Sequence, residues 1–487
     1  MTNNMNIATP EKHYQVIVVG AGITGLTTAI HLKEAGANVH ILEQKDRIGG
    51  QIASFREGDF VFESGPNTGV VNCPEVIELF ELSDTKLLTP NPNVKRRLIW
   101  KDNRFHQLPS NMVQGLTTSL FTWKDKFRIL GEPWRKPGSN PDESVADLVR
   151  RRMGKSFLDY AINPFLSGVY AGNAETLITR YALPKLYNLE QDYGSFIRGA
   201  IKKAHQPKSE REKKVTKEIF SAPNGLQTLT DSIATKIGKE CFTLGTKDCH
   251  IWPINKKEEP NETVANAQKV SESSPKWLIS YVLEGETHYI SSDYVVTTTG
   301  AYQLKELLPF VDKEATESFD SLRYAPVIQV AVSISDIKGH TPLSYGGLIP
   351  SHSGEPTLGI LFPSSCYTGK APDGGALFTV FLGGVHHPEV LNMSNKEIEK
   401  IIHHDLYNML NLPKEVTIDA LHIFRHQKAI PQYEINSGQR FKYIHQLETQ
   451  YEGLYLGGNM IGGIGLADRI KQGTTIAKAI IKSNSFF

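Results

Sequence analysis

The sequence predicts a multidomain mixed α/β fold in which one sheet takes strands from both ends of the chain. An apolar strand, a glycine turn, a helix and a second strand follow one another over residues 14–43. Two later apolar runs, at 294–299 and 454–458, have the same character of buried strands. A chain of 487 residues also exceeds what one hydrophobic core usually holds. We therefore expect the middle of the chain to be inserted into this sheet as further domains.

The first elements predict a βαβ unit. The run YQVIVVG at 14–20 is rich in β-branched residues and ends in glycine, as a buried parallel strand does before its crossover helix. Apolar residues then recur at helical spacing from Leu26 to Leu32, and the pattern stops near Gly36. Residues 38–43 return as a strand, which completes the unit.

The middle of the chain follows a different pattern. Residues 144–205 are mainly helical by periodicity, whereas 327–335, 358–362 and 377–383 alternate as strands separated by glycine and proline. The predicted domains are a discontinuous first domain of 14–94, 221–300 and 436–487, a mainly helical domain of 95–205, and a sheet domain of 301–435. The polar stretch 253–276 contains three prolines, and we interpret it as an exposed loop or insertion without a catalytic role.

The charge is balanced overall but not locally. Lys and Arg number 53 against 52 Asp and Glu, which gives no reason to expect nucleic acid or a strongly acidic partner. Residues 95–155 nevertheless carry a net charge of +8, and residues 198–218 a net charge of +5. These stretches are either solvated faces or surfaces that attract an anionic lipid or a carboxylate-bearing substrate.

The spacing of the cysteines and the length of the apolar runs indicate the cellular environment that we expect for the chain. The four cysteines are scattered and none has CxxC spacing, which favours a reduced, cytoplasmic environment over a disulfide framework. No signal peptide and no uninterrupted run of 18 apolar residues is apparent. We expect a chain that does not span a membrane, and peripheral attachment to the inner face stays open. Trp123, Trp134 and their apolar neighbours Leu120 and Phe121 lie in the basic stretch and would suit such contact.

A dinucleotide motif lies at the end of the first strand. Gly20, Gly22 and Gly25 form GxGxxG, in which the glycines allow a tight turn, a close backbone approach to a pyrophosphate and close packing of helix on strand. The helix that begins at Ile23 and Thr24 would point its N-terminal N–H groups at the phosphates. Glu43 ends the next strand, before Gln44, where a carboxylate can accept hydrogen bonds from ribose hydroxyls. NAD and FAD both fit this motif.

Three further segments resemble the FAD-binding motifs of flavin oxidases. The phrase DRIGGQ supplies a cation and a glycine pair beyond Glu43, ESGPNT resembles a segment that runs near the flavin, and LYLGGNMIGGIGLADRIKQ resembles a C-terminal FAD motif. The candidate FAD-binding residues in these segments are Arg47, Gly49, Gly50 and Gln51, then Gly65, Pro66, Asn67 and Thr68, and finally Gly458, Asn459, Ile464, Gly465 and Leu466. No cysteine lies in the C-terminal segment, so we expect FAD to be bound non-covalently.

Longer phrases resemble one family of flavoenzymes. The segments NPFLSGVYAGNAETLITRYALPKL (163–186), GGLIPSHSGEPTLGILFPSSCYTGKAPDGGALFTVFLGG (346–384) and QKAIPQYEI (427–435) are similar to those of the oxygen-dependent protoporphyrinogen oxidase family of haem synthesis. The resemblance implies a Rossmann-type FAD-binding domain, an inserted substrate-binding β-sheet domain and a helical membrane-associating domain. It also implies oxidation of a porphyrinogen to a porphyrin, with oxygen reoxidising FAD. A homodimer is an open alternative to a monomer.

The same resemblance suggests where the substrate lies. Gly168 would lie where the macrocycle approaches the backbone, and Leu304, Leu307 and Phe381 are candidate walls of the slot. Some relatives carry an arginine shortly after a Leu-Pro pair, thought to meet a propionate, but no arginine follows Leu108 and Pro109 here, where only Arg96, Arg97 and Arg104 are nearby. FAD accepts the hydride itself, so we assign no catalytic side chain, and no metal site is apparent.

Alternative functions stay open from the sequence alone. Coproporphyrinogen carries four propionates where protoporphyrinogen carries two, and the basic stretches suit either substrate. A flavin amine oxidase shares the glycine motifs, and a flavoprotein that serves only as a redox scaffold is the alternative outside enzymology.

Overall fold

The computed structural model describes residues 9–94, 96–109, 112–254 and 276–483. The predicted insertion at 253–276 lies outside the described residues except at its two ends. Within the described part the fold is mixed α/β and contains two larger sheets, each of seven strands, together with two short two-stranded sheets. The short sheets pair Ser54–Glu57 with Phe60–Glu63 and Gly69–Val70 with Ile219–Phe220.

The first sheet combines strands from both ends of the chain, as predicted. Its strands run in the order Lys247–Pro253, Trp277–Leu283, Glu286–Thr297, Lys12–Val19, Val39–Glu43 and Phe242–Leu244, with Leu454–Leu456 added beside Glu286–Thr297. The strands around Lys12–Val19 pair in parallel, so their carboxyl ends meet at one edge. Open sheets of this kind bind ligands at that edge.

The N-terminal and C-terminal segments also pack against each other as helices. Helix Ile23–Glu34 lies beside helix Leu466–Ser483, and the Thr28 hydroxyl donates to the carbonyl of Gly473 at 3.2 Å. A Cβ on Gly473 would lie 2.5 Å from the Thr24 carbonyl oxygen, so only glycine permits this approach. The two ends of the sequence therefore fold as one unit.

The second sheet is mostly antiparallel and contains the strands predicted near 327–335, 358–362 and 377–383. Its order is Ala420–Pro431, Tyr324–Ile334, Ala376–Gly383, Thr357–Leu361, Gly346–Leu348, Leu98–Lys101 and Arg104–Gln107. The last two strands form a hairpin that joins the sheet through a parallel pair with Gly346–Leu348. Residues 98–107 thus differ from the predicted mainly helical segment, because they pair with each other around a turn at Asp102 and Asn103, both with positive φ.

The helical segment begins after this hairpin. Its helices are Met112–Thr117, Trp123–Leu130, Val145–Arg152, Lys155–Phe157, Asn163–Tyr170, Thr179–Ala182, Pro184–Tyr193, Phe196–Ala204 and Glu210–Lys213, with a 3₁₀ turn at Glu132–Trp134 and a π turn at Leu158–Ile162. Leu120 and Phe121 are buried in a cluster with Ile99, so they are not available for the lipid contact considered from the sequence. Trp123 and Trp134 are exposed.

The remaining helices surround the two sheets. They are Pro74–Leu82, Gln227–Ile237, Leu304–Leu307, Lys313–Asp320, Pro363–Cys366, Asn395–His404 and Ser437–Gln450, with 3₁₀ turns at Lys239–Cys241, Ala301–Gln303, Ser351–Ser353 and Pro388–Asn392 and a π turn at Asp405–Met409. Among the helices that the structure describes, none is both long and apolar enough to cross a membrane.

Candidate functional site

A single cavity of about 1190 Å³ joins the carboxyl edge of the first sheet to one face of the second. Its lining includes Gly20 and Glu43 from the first sheet and Val327 and Phe381 from the second. Sites for one drug-sized ligand usually measure about 300–1,000 Å³, so this cavity has room for more than one small molecule.

The glycine turn opens onto the cavity, and each glycine is required for a different reason. Gly20 has φ +107°, which favours glycine. A Cβ on Gly25 would collide with the Gly20 carbonyl oxygen, so this glycine allows the helix to pack on the strand and does not itself line the cavity. A Cβ on Gly22 would meet no atom nearer than the Gly50 Cα at 4.0 Å. Gly22 therefore leaves open the space that a bound ligand needs.

The N-terminus of helix Ile23–Glu34 is free for an anion. No side chain caps it and no acidic residue lies in its first turn, while Ile23 and Thr24 line the cavity. Uncapped N–H groups at the positive end of a helix form a ready site for phosphate.

Glu43 ties the turn to the second strand. Its carboxylate accepts hydrogen bonds from the backbone N–H groups of Ala21 at 2.7 Å and Lys45 at 2.9 Å. Glu43 is buried and lines the cavity beside Gln44, whose side-chain oxygen accepts from Gln303. The carboxylate is thus held in place at the edge where the sequence predicts a ribose.

The loop at 47–51 lies against the glycine turn. Gly49, Gly50 and Gln51 line the cavity, and the Gly49 N–H donates to the Ala21 carbonyl at 2.9 Å. Arg47 does not line the cavity: its guanidinium donates to the carbonyls of Ile48, Gly50 and Ile52 at 2.9–3.0 Å. It holds the loop, because its donors are used by the protein's own backbone, and does not present a cation to a ligand as its place in the motif suggested.

The segment at 65–68 contributes three of its four predicted residues. Gly65, Pro66 and Thr68 line the cavity. The side-chain amide of Asn67 instead donates to the Gly65 carbonyl at 3.1 Å and accepts from the Thr379 hydroxyl at 2.9 Å. Asn67 thereby joins the segment to the second sheet.

The C-terminal motif brings a second helix N-terminus to the cavity. Gly458, Asn459, Ile464, Gly465 and Leu466 all line it, and helix Leu466–Ser483 begins there. One turn into this helix lies Arg469, which was not among the predicted FAD-binding residues.

Arg469 is buried and also lines the cavity. Its guanidinium donates to the carbonyls of Gly458 and, at 2.7 Å, Ile461, and burial lowers its pKa. It fastens the glycine loop to the helix. Arg469 lies three residues after Leu466, within the C-terminal motif LYLGGNMIGGIGLADRIKQ. That position could have identified it from the sequence.

Some of the predicted substrate residues line the cavity and others do not. Gly168 and Phe381 line the cavity, but a Cβ on Gly168 would point at the Leu348 side chain, 2.5 Å from its Cδ2. Leu307 lines the cavity and shares a core cluster with Cys249 and Ile251, which places it beside strand Lys247–Pro253. The structure does not bring Leu304 to the cavity, because that side chain is fully buried in the same cluster.

An apolar wall faces the cavity from the second sheet and the end of helix Asn163–Tyr170. It consists of Ala171, Val327, Leu358, Phe381 and Ile430, which belong to one hydrophobic cluster. Ala171 ends the helix in a left-handed conformation, φ +46°. This wall offers an apolar surface next to the polar groups of the first sheet.

A histidine and a cysteine that line the cavity are held neutral. His426 lines the cavity, and burial lowers its pKa. Its Nε2 lies 2.6 Å from the Ser64 carbonyl, which can only accept, so Nε2 carries the proton. Burial raises the pKa of Cys249 to about 12, so this thiol stays protonated. Neither side chain is placed as a charged catalyst.

The arginines considered for propionate lie elsewhere. Arg96, Arg97 and Arg104 do not line the cavity, and the Arg97 guanidinium lies over the Tyr345 ring at 5.6 Å. Residues 110 and 111, which follow Leu108 and Pro109, lie outside the described part of the chain. Lys428 and Tyr302, which the sequence analysis did not name, do line the cavity.

Comparison with known proteins identifies the family. The profile of the flavin containing amine oxidoreductases matches residues 23–481, and the chain belongs to this family. Protoporphyrinogen oxidase 2, chloroplastic/mitochondrial, of Arabidopsis thaliana is 28% identical over 96% of this chain and 94% of its own. Coproporphyrinogen III oxidase of Bacillus subtilis (strain 168) is 24% identical over 95% of this chain and 96% of its own.

Solved structures agree with the fold. A crystal structure from Exiguobacterium sp. 255-15, provisionally named a protoporphyrinogen oxidase, superposes with a TM-score of 0.77 at 21% identity and covers 98% of this chain and 100% of its own. At that identity the likeness concerns the fold. Family membership makes the chain an FAD-dependent oxidoreductase. The cavity fits FAD, because an uncapped helix N-terminus, an open Gly22 and a fixed carboxylate lie together at one end of it.

Proposed function

We propose that this protein oxidises protoporphyrinogen IX to protoporphyrin IX in haem biosynthesis, with oxygen as the final electron acceptor. The observation that carries the proposal is the continuity of one cavity from the glycine turn to the apolar wall of Ala171, Val327, Leu358, Phe381 and Ile430. A largely apolar macrocycle requires such a wall next to the cofactor. The full-length likeness to enzymes named for this substrate supports the same choice.

Different residues of the chain would bind the cofactor and the substrate. FAD, when bound, accepts the electrons that the substrate loses. The glycine turn, Glu43 and the loop at 49–51 would hold the nucleotide part, and residues 65–68 and the N-terminus of Leu466–Ser483 would lie along the rest. The apolar wall would exclude water and orient the macrocycle. No side chain is assigned as a base.

Coproporphyrinogen III is the second candidate substrate. A relative of that name matches over nearly the whole chain, which favours the same chemistry on a more highly charged macrocycle. That substrate carries two propionates where protoporphyrinogen IX carries two vinyl groups, so it would bring two more carboxylates and fewer apolar groups to the cavity.

Purified holoprotein tests both substrates directly. Each porphyrinogen is supplied anaerobically, oxygen is then admitted, and porphyrin fluorescence is recorded together with oxygen consumption. We expect porphyrin to form from protoporphyrinogen at the higher kcat/KM. Faster turnover of coproporphyrinogen would change the substrate alone. Oxidation of an amine without oxidation of either porphyrinogen would contradict the proposal.

The helical segment supports peripheral contact with the inner face of the membrane. Trp123, Phe127 and Leu130 are exposed at helical spacing on helix Trp123–Leu130. Trp134, on the 3₁₀ turn that follows, is 78% exposed. Lys124, Arg128 and Lys136 lie among them in the basic stretch. Aromatic and cationic side chains together suit the headgroup layer of an anionic bilayer.

Flotation with vesicles tests this contact. The holoprotein should float with anionic vesicles and less with neutral ones, and Trp134→Ala with Phe127→Ala should reduce flotation without loss of FAD. Equal absence from both kinds of vesicle would contradict it.

Sedimentation of the same preparation distinguishes a monomer from a homodimer.

A further inference from the structure

Cations that line the cavity are mostly occupied by the protein itself. The Lys45 ammonium donates to the Gly50 carbonyl at 3.0 Å, and the Arg469 guanidinium to the carbonyls of Gly458 and Ile461. Lys247 begins the strand that follows Thr246, whose N–H donates to the Glu43 carbonyl at 3.0 Å, so it belongs to the nucleotide end. These side chains hold backbone or border the cofactor.

Lys428 differs from them. It lies on strand Ala420–Pro431 between His426 and Ile430, where the register against strand Tyr324–Ile334 shifts. His426, Lys428, Ala429 and Ile430 all line the cavity. Its ammonium nitrogen lies 3.8 Å from the centroid of the Tyr302 ring. Among the described residues no carboxylate lies within 4.0 Å of it, and no hydrogen-bond acceptor is paired with it.

The surroundings indicate what Lys428 would bind. Its strand neighbour Ile430 belongs to the apolar wall, Ala429 packs against the same hydrophobic cluster, and Lys428 itself is exposed. A cation that rests on an aromatic ring keeps its N–H donors free for an anion. The uncapped helix after Gly22 already offers donors for a diphosphate, so the anion next to the apolar wall is expected to arrive with the substrate.

We propose that Lys428 binds a carboxylate of the porphyrinogen at the rim of the cavity, with Tyr302 holding the ammonium in position. This rests on the proposed function. It places the carboxylate anchor on the second sheet, in a chain without an arginine shortly after Leu108 and Pro109. A macrocycle against the apolar wall would then reach Lys428 with a flexible acidic arm.

Three variants of the holoprotein test this assignment. Lys428→Met removes the charge at nearly constant length, Lys428→Arg keeps it, and Lys400→Met removes a charge from an exposed position on helix Asn395–His404 that does not line the cavity. Lys428→Met should raise KM for a porphyrinogen by roughly tenfold, the range of a lost charge-assisted hydrogen bond, with kcat nearly unchanged. Lys428→Arg and Lys400→Met should stay close to the wild type.

An equilibrium measurement accompanies the kinetics. Fluorescence titration of each holoprotein with coproporphyrin III and with its tetramethyl ester reports binding without turnover. Lys428→Met should weaken binding of the acid by roughly tenfold and leave binding of the ester unchanged, because the ester offers no carboxylate. Flavin absorbance should show full FAD occupancy in every variant.

The outcomes separate the two proposals. A wild type that oxidises no porphyrinogen contradicts the proposed function and the Lys428 assignment together. An active wild type with an unchanged Lys428→Met variant overturns the assignment alone. Loss of FAD from Lys428→Met with unchanged KM also overturns it, because the lysine would then serve the cofactor.

Discussion

The glycines of the dinucleotide turn have different surroundings, so substitutions at different glycines should have different effects. Gly22→Val places a side chain in open space that belongs to the cavity, since a Cβ there meets nothing closer than 4.0 Å. We predict a folded protein that purifies without FAD. Far-ultraviolet circular dichroism should match the wild type, and the flavin absorbance should be lost.

Gly25→Ala is the matched control for this prediction. Its Cβ would collide with the Gly20 carbonyl, so it should lower the yield of folded protein and not merely its flavin content. Retention of FAD by a folded Gly22→Val variant would contradict the placement of the cofactor on this turn.

Asp405 provides a residue with a defined pH dependence. It is fully buried, and burial raises its pKa to about 6, although the Thr357 hydroxyl donates to it at 2.6 Å. An unfolded aspartate has a pKa of ~3.9. Between that pH and about 6, Asp405 is therefore protonated in the folded state and ionised in the unfolded state. Stability therefore falls as pH rises from about 4 to about 6, by roughly 3 kcal/mol in all.

Asp405→Asn removes this titration and can still accept from Thr357. We predict that the variant gains stability over the wild type at pH 8 and loses most of that advantage at pH 4. Urea unfolding at the two pH values measures the difference. A gain that is equal at both would show that Asp405 is not protonated in the folded protein.

At the scale of elements, Glu132 organises the helical segment. Its carboxylate caps helix Phe196–Ala204, accepting from the N–H groups of Phe196 at 3.0 Å and Ile197 at 3.2 Å, and it also pairs with the buried Arg152. Burial alone raises the pKa of Glu132, but hydrogen bonds from Ser195, the two backbone N–H groups and Arg152 outweigh it and leave the pKa lowered. The stability that the ionised Glu132 carboxylate gives the folded state is fully present above the ordinary pKa of a glutamate. It is lost as pH falls through the lowered pKa.

Glu132→Ala should therefore destabilise this segment strongly. It leaves two helix N–H groups without their acceptor and removes one of the two carboxylates that pair with the buried Arg152, the other being Glu190 at 3.3 Å. Breaking a buried pair in this way costs about 3–5 kcal/mol. Hydrogen exchange of residues 196–204 measures the opening free energy. Adding Arg152→Met should recover part of the loss, and a double variant no better than Glu132→Ala would contradict the coupling.

The elements also show what sequence could predict. The strand, turn and helix around Gly22 are local, so their spacing predicts both the βαβ unit and the cavity edge. The hairpin at 98–107 was missed although its pairing is local, around a two-residue turn at Asp102 and Asn103, which both have positive φ. Only its parallel pairing with Gly346–Leu348 is a contact that no local pattern encodes. Leu307 and Leu304 have the same periodic character, yet only Leu307 reaches the cavity, because packing decides which apolar side chain borders a ligand. Lys428 lies in the phrase QKAIPQYEI, but that phrase predicts no role for it. Only the fold places it over Tyr302, which lies on the 3₁₀ turn Ala301–Gln303.

For the whole molecule, the path of the chain predicts how the cofactor affects stability. Segment 301–435 is connected at both ends to the first sheet, and both sheets line one cavity. A ligand in this cavity should therefore stabilise the two sheets together and not the first alone.

Titration of apoprotein with FAD measures this coupling. FAD at a hundred times its Kd adds about 2.7 kcal/mol of stability to the state that binds it. Unfolding entropy of roughly 2.1 cal/mol/K per residue gives about 1 kcal/mol/K for 487 residues, so a single cooperative transition should rise by about 3 °C. Differential scanning calorimetry should show one transition that moves with FAD concentration, and Gly22→Val should show none of this shift. Two transitions, of which only one responds to FAD, would mean that the second sheet unfolds independently of the cofactor although it lines the same cavity.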